Sequence, residues 1–226
     1  MIDRVLGLDG YKKRWLGVTL VEGCFHAARV FRTIIDALDA ERDCSIVAID
    51  IPIGLGNGNG RAADHEAKQL LGSRRSSVFL TLPEAVYAAP TFAEAVGIAK
   101  RLTGKGISKQ SHALGPKIQE AAAAALIDRR LIEVHPEVSF RALAGAPLAY
   151  AKKTWGGLME RRRLLQTAGI DIPEKLPGTA GRAPADDLLD AAVAAWTARR
   201  VAQGTAKVLP ESTPRTTGRL TGVIWY

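Results

Sequence analysis

The sequence predicts an α/β protein spanning residues 1–226 as one domain, with a mixed central sheet flanked by helices and a helical insertion at about 55–130. Three observations predict it. Two apolar runs, Arg4-Val5-Leu6-Gly7-Leu8-Asp9-Gly10 and Ser45-Ile46-Val47-Ala48-Ile49-Asp50, are continuous enough to be central strands covered on both faces. Short polar turns at 10–14 and 22–23 join the first run to two more apolar segments, 15–21 and 24–31, as an antiparallel meander. Helix-period segments then separate the remaining strand-like runs, which calls for a sheet with helices packed on it.

The elements follow in order. Thr33 caps a short helix through Glu41, since a threonine hydroxyl can accept from the open N–H groups of a first turn. The strand at 45–51 returns to the sheet beside the first. Gly54-Leu55-Gly56-Asn57-Gly58-Asn59-Gly60 reads as a mobile loop. It matches neither the Walker spacing nor G-x-G-x-x-G, so it is not a phosphate loop. Helices are expected at 61–71, stopped by Gly72, at 91–102 with Thr91 as cap, and from Ser108 to about Asp128. Strand character resumes at 131–135. Pro136 begins a helix through Ala144, because proline suits a first helical position. Two more helices are expected at 154–168 and 185–203, a loop around Pro210 and Pro214, and a short edge strand at 223–226.

Composition narrows the class. Of 226 residues, 47% are hydrophobic and 24% charged, as in ordinary globular proteins. No apolar run approaches the ~20 residues of a membrane span. The start, Met1-Ile2-Asp3-Arg4-Val5, does not read as a signal peptide. Cys24 and Cys44 stand alone, with no C-x-x-C pair, so a zinc finger and a disulfide framework are excluded and a reducing cytoplasm is expected. The formal charge of +8 favours a polyanion partner such as nucleic acid, although many basic proteins have none.

Acidic residues carry the chemistry. Asp9 and Asp50 end apolar runs, and Asp186-Asp187-Leu188-Leu189-Asp190 opens an alanine-rich helix. A carboxylate at the end of a buried strand needs a cation or several hydrogen bonds to stay ionised. Each aspartate alone is accounted for by a turn or a helix cap. Together they can converge on one sheet edge, and oxygen ligands of this kind suit a hard divalent cation. Glu137, in the first turn of a helix just past a strand, is a further candidate, or else an acid that favours the helix dipole. His135 lies between Glu133 and Glu137, but a lone histidine is more often a packed, hydrogen-bonded group than a ligand. Arg74-Arg75-Ser76-Ser77 offers two guanidinium forks and two hydroxyls that suit phosphate oxygens, or a plain surface turn. Lys109, Lys117, Lys152-Lys153 and Arg161-Arg162-Arg163 add basic clusters, the last partly a solvated helix face. No G-x-S-x-G element is present. No aromatic stacking motif selects among nucleic acids.

These residues also carry a resemblance. Leu6-Gly7-Leu8-Asp9-Gly10, Ile49-Asp50-Ile51-Pro52-Ile53-Gly54, Gly60-Arg61-Ala62-Ala63-Asp64-His65-Glu66-Ala67, Leu71-Gly72-Ser73-Arg74-Arg75-Ser76-Ser77-Val78-Phe79, Glu133-Val134-His135-Pro136-Glu137 and Asp186-Asp187-Leu188-Leu189-Asp190-Ala191 are similar to the DUF429 family, predicted nucleases of ribonuclease H-like fold. Asp187-x-x-Asp190-Ala also resembles the final-helix signature of Holliday-junction resolvases of that fold. Three departures stand out: Ala121-Ala122 where an acidic residue is expected, Ala63 where a cysteine is usual, and Phe79-Leu80-Thr81-Leu82-Pro83-Glu84 without the arginine expected near its end. The resemblance implies a ribonuclease H-like core and a metal-dependent nuclease acting on nucleic acid. Asp9, Asp50, Asp187 and Asp190 are then expected to hold Mg²⁺ or Mn²⁺, with Glu137 as a further catalytic acid. Arg74, Arg75, Ser76, Lys109, Lys117 and Lys153 are expected to meet substrate phosphates. Two other readings remain open, an ATP-dependent phosphotransferase of the actin-like branch of the fold and a catalytically silent nucleic-acid-binding protein. Lys12-Lys13-Arg14 after the first strand weighs against the phosphotransferase, which would carry a Gly-and-Thr phosphate loop there.

Overall fold

A computed structural model describes residues 3–213 and 221–226. Met1, Ile2 and Pro214 lie outside the described residues. The chain begins with β1 (Arg4–Tyr11), β2 (Arg14–Val21) and β3 (Cys24–Phe31), followed by α1 (Ile34–Ala40) and β4 (Ile46–Ile49). Thr33 caps α1 reciprocally with Asp36, as its position before the apolar turn predicts. Between β4 and β5 (Leu131–Glu133) run α2 (Ala62–Leu71), a 3-10 turn (Gly72–Ser77), α3 (Glu84–Tyr87), α4 (Phe92–Thr103), α5 (Lys109–Ala113) and α6 (Gly115–Ile127). The chain ends with α7 (Pro136–Ala144), α8 (Trp155–Thr167), α9 (Ala185–Ala202) and a small antiparallel pair, β6 (Val208–Leu209) with β7 (Ile224–Trp225).

The main sheet has the order β3-β2-β1-β4-β5, with β2 antiparallel to both neighbours and β1, β4 and β5 parallel. It is a mixed α/β sheet, consistent with a ribonuclease H-like fold. β1 and β4 are interior and side by side, as their unbroken apolar sequences require.

Side-chain alternation sorts the core onto two faces. Leu6, Leu8, Val47 and Ile49 face one way, against α1 and the Ile118–Ala121–Ala124 face of α6. Helix α6 therefore belongs to the layer that covers the sheet. Val5 and Ala48 face the other way, against α7, α8 and the alanines of α9. Gly7 shares that parity and lies directly beneath α9. A Cβ there would come within 2.1 Å of the Ala191 carbonyl oxygen and 2.2 Å of the Ala195 nitrogen. Glycine in the strand, with alanines on the helix, thus lets two backbones touch and seats α9 across β1.

One expected helix is two. The stretch from Ser108 to Asp128 breaks at Leu114, which ends α5 and opens α6, with Pro116 in the first turn of the new helix. Proline offers no N–H to continue a ladder from the preceding turn, so the continuous reading fails there. The short α3 and β6 have too few residues to leave a periodic signal.

Candidate active site

Parity places the first two acids. Asp9 follows Val5 and Gly7 on the α9 side of β1, and Asp50 follows Ile46 and Ala48 on the same side of β4. The parallel register pairs Leu8 with Ile49, so Asp9 and Asp50 lie side by side, and the Asp50 N–H donates to the Leu8 carbonyl at 2.9 Å. Asp190 enters from above, on the residue of α9 that precedes the Gly7 contact with Ala191. Carboxylate oxygens of Asp9, Asp50 and Asp190 all lie within 4.8 Å of one another. Asp187, one turn earlier on α9, borders this group but is not one of the three. It is half-buried, and beside Asp186, Lys152 and Lys153.

The electrostatics follow from this crowding. Burial, then Asp50 and Asp190, push the Asp9 carboxyl well above the ordinary aspartate range. Burial raises Asp50 to about 6 despite Lys152 and a hydrogen bond with Asp9. Burial likewise raises Asp190 to about 7, with Lys152 pulling down and Asp50 pushing up. The Lys152 ammonium lies 2.7 Å from Asp190 Oδ2. Burial opposes its charge, but Asp190, Asp50 and Asp9 outweigh that and hold its pKa above the lysine norm. The other Asp190 oxygen, Oδ1, is buried without a hydrogen-bond partner. Three convergent oxygen donors, one of them unsatisfied, match the ligand chemistry of Mg²⁺ or Mn²⁺.

Beside the acids opens a cleft of about 450 Å³, walled by Asp50, Asp187 and Asp190, by Lys152 and Lys153, and by the 133–137 segment. Glu137 lines it from the first turn of α7, where one of its oxygens binds the fully buried Arg161 and the other is buried and unpartnered. Arg161, within the triplet read partly as a solvated face, is thus an anchor: it also donates to the Tyr150 and Gly157 carbonyls. His135 lines the cleft with its Nε2 on the Ser77 carbonyl at 3.3 Å, and burial lowers its pKa, so the imidazole is neutral.

The basic candidates divide. Lys153 and Ser76 line the cleft. Lys117 sits beside Gly10 at the end of β1, its ammonium 3.7 Å from the centre of the Trp15 ring and 2.7 Å from the Arg14 carbonyl oxygen. Arg74 donates to the Leu148 carbonyl at 3.0 Å. Arg75 and Lys109 are exposed and form no part of the cleft wall; the Lys109 ammonium lies over the Phe92 ring.

Two features escaped the sequence reading. Lys152 and not Lys153 pairs with the acids. Both lie in a non-periodic segment, so spacing does not say which one turns inward. The second is a buried network in which Arg61 donates to Asp64 Oδ1 at 2.6 Å and to both oxygens of Glu133 at 2.6 and 2.7 Å. Glu133 also accepts from the Ile53 N–H, so the network ties α2, β5 and the loop after β4 together under the cleft. Its signal was present: a glutamate inside an apolar strand needs a buried cation.

A family model described as a protein of unknown function, DUF429, matches residues 7–215. The chain belongs to the DUF429 family. The match includes every acid of the site and the whole main sheet from Gly7 onward. No curated protein and no solved structure matches significantly. No described helix is long and apolar enough to cross a membrane.

Proposed function

We propose that this DUF429 member is a metal-dependent nuclease that hydrolyses phosphodiester bonds of nucleic acid in the cleft beside Asp9, Asp50 and Asp190. One observation carries the reading: carboxylates from two neighbouring strands and a crossing helix, oxygens within 4.8 Å, meet at the wall of a cleft rimmed by lysines. Asp9, Asp50 and Asp190 would hold Mg²⁺ or Mn²⁺, with Asp187 at the border of the same site. When bound, the ion supplies Lewis acidity toward a phosphoryl oxygen.

The chain's own residues do the rest. Lys152 favours the charged form of Asp190 against burial and brings a cation to where phosphate charge would build. Lys153 and Ser76 offer an ammonium and a hydroxyl to the flanking phosphates. Arg161 fixes Glu137, and with it the start of α7, against the cleft wall. Neutral His135 packs into that wall, its Nε2 on the Ser77 carbonyl. The turn after β1 supports a nuclease over a phosphotransferase. Lys12, with φ 53°, closes a tight hairpin and leaves no glycine-rich loop to cradle triphosphate.

The test is cleavage of labelled single-stranded and duplex DNA and RNA by the full chain. Cleavage is expected with Mg²⁺ or Mn²⁺ and none with a chelator present. Tight binding with no cleavage in either metal would instead identify a silent binding protein, and phosphate transfer from ATP would identify a kinase.

A further inference from the structure

Trp155 is the most exposed large hydrophobic side chain among the described residues, at 78%. It stands at the first position of α8, three residues past Lys152, which reaches Asp190 in the acid cluster. It walls a groove of about 320 Å³, a volume typical of small-ligand pockets. The groove is largely apolar, with Leu158, Met159 and Leu188 beside the ring, and Arg162 and Glu174 as charged walls.

The groove adjoins the acid cleft. A shallow depression between them shares Lys153, Asp186 and Asp187 with the cleft, and Leu158 and Ala185 with the groove. The segment leading to Trp155, Tyr150-Ala151-Lys152-Lys153-Thr154-Trp155, has an exposed aromatic ring at each end and two lysines between them, Lys152 turned to Asp190 and Lys153 lining the depression. Arg161 anchors the segment through the Tyr150 and Gly157 carbonyls, so the rings project from a braced backbone. A second aromatic, Phe79, is 36% exposed and lines the cleft itself.

We propose that the Trp155 groove is a base-binding subsite, which takes an unpaired nucleobase of the strand whose phosphate lies in the acid cleft. The inference rests on the nuclease reading and deepens it by naming the substrate class: single-stranded nucleic acid, or a strand opened next to the scissile bond. An aromatic face exposed to water gains by stacking on a base, and the flat apolar side of a base is hidden in a duplex. Lys153, at the junction, meets the phosphate between the two pockets. Arg162 meets the next phosphate or stacks on the base. The overall charge of +8 draws an acidic protein segment as well as a nucleic-acid strand, but an exposed indole near Lys153 and Arg162 offers a stacking face for a base beside cations for its phosphates.

The experiment measures anisotropy of a fluorescent oligonucleotide, single-stranded or closed into a hairpin duplex, in Mg²⁺. The protein is the full chain with Asp9→Asn, so that no probe is cut. Adding Trp155→Ala should weaken single-strand binding about five- to a hundredfold, Trp155→Phe should restore most of it, and duplex binding should change by less than about twofold. Circular dichroism and sedimentation check fold and self-association. Unchanged single-strand binding in Trp155→Ala, an equal loss for duplex, or a loss that tracks a change in self-association would overturn the subsite while leaving the nuclease reading intact. Absence of binding to any nucleic acid would overturn both. Binding that depends on Trp155 without cleavage by the unmodified chain would overturn the nuclease reading and leave the subsite standing.

Discussion

Asp9→Asn is expected to lower cleavage by roughly a hundred- to a thousandfold or more, without loss of fold. The amide keeps the shape and one carbonyl oxygen, but it brings no negative charge to the ion. The fold should survive because the amide resembles the species already favoured there. Burial, Asp50 and Asp190 push the Asp9 pKa up and so favour its protonated form in the metal-free protein. The sign of the stability effect follows. A carboxyl whose folded pKa is raised stabilises the fold below its unfolded value and loses that contribution as pH rises through the folded value. For Asp50 and Asp190 that window runs from the ordinary 3.8 up to about 6 and about 7. Without metal, the unmodified chain should therefore lose stability as pH rises across this range. Asp9→Asn removes one titrating group and should be at least as stable above it. Cleavage within about tenfold of the unmodified rate would sink the assignment of Asp9 to the metal site. A collapsed fold, seen by circular dichroism, would mean that the charge of Asp9 serves structure.

Arg61→Leu is expected to cost about 3–5 kcal/mol of folding stability, measured by urea denaturation. The guanidinium is buried and holds two buried carboxylates at once, Asp64 and Glu133. Removing it strands both in a low-dielectric site, where burial already raises the Glu133 pKa. The single cation therefore matters more than either pair considered alone. Arg61→Leu combined with Glu133→Gln should recover part of the loss, because one uncompensated charge is gone and the glutamine oxygen still accepts from the Ile53 N–H. A cost below about 1 kcal/mol for Arg61→Leu would show that water reaches these carboxylates and that the network is not a buried one.

Much of the fold was legible because its signals are local. The unbroken apolar runs of β1 and β4 demanded interior positions, and the two short turns demanded a meander. The alternation that buries Leu6 and Leu8 also aims Asp9 toward α9, and the helical period puts Ala191 and Ala194 beneath Asp187 and Asp190. That Asp9 and Asp50 share the α9 side of the sheet was therefore foreseeable from parity alone. What parity does not give is the angle at which α9 crosses β1. That angle comes from the backbone contact at Gly7, a three-dimensional fit, and it brings Asp190 rather than Asp187 into the group of three. Lys152 was hidden for a related reason. Its inward turn depends on Arg161 bracing the loop from a helix eleven residues beyond Tyr150. The break at Leu114 was readable in Gly115-Pro116, but the alanine-rich helical pattern after it obscured it.

The central claim is that Asp9, Asp50 and Asp190 form a divalent-cation site, and calorimetric titration of Mn²⁺ or Mg²⁺ into the metal-free full chain tests it most directly. The cation must displace the protons that burial and mutual repulsion keep on these carboxyls, so affinity should rise about tenfold or more from about pH 6 to about pH 8, with proton release. Asp190→Asn should weaken binding by about tenfold or more and flatten the pH dependence. Saturable, pH-dependent binding that Asp190→Asn weakens is the predicted result. Absence of binding at millimolar metal, or binding that Asp190→Asn leaves unchanged, would contradict the account.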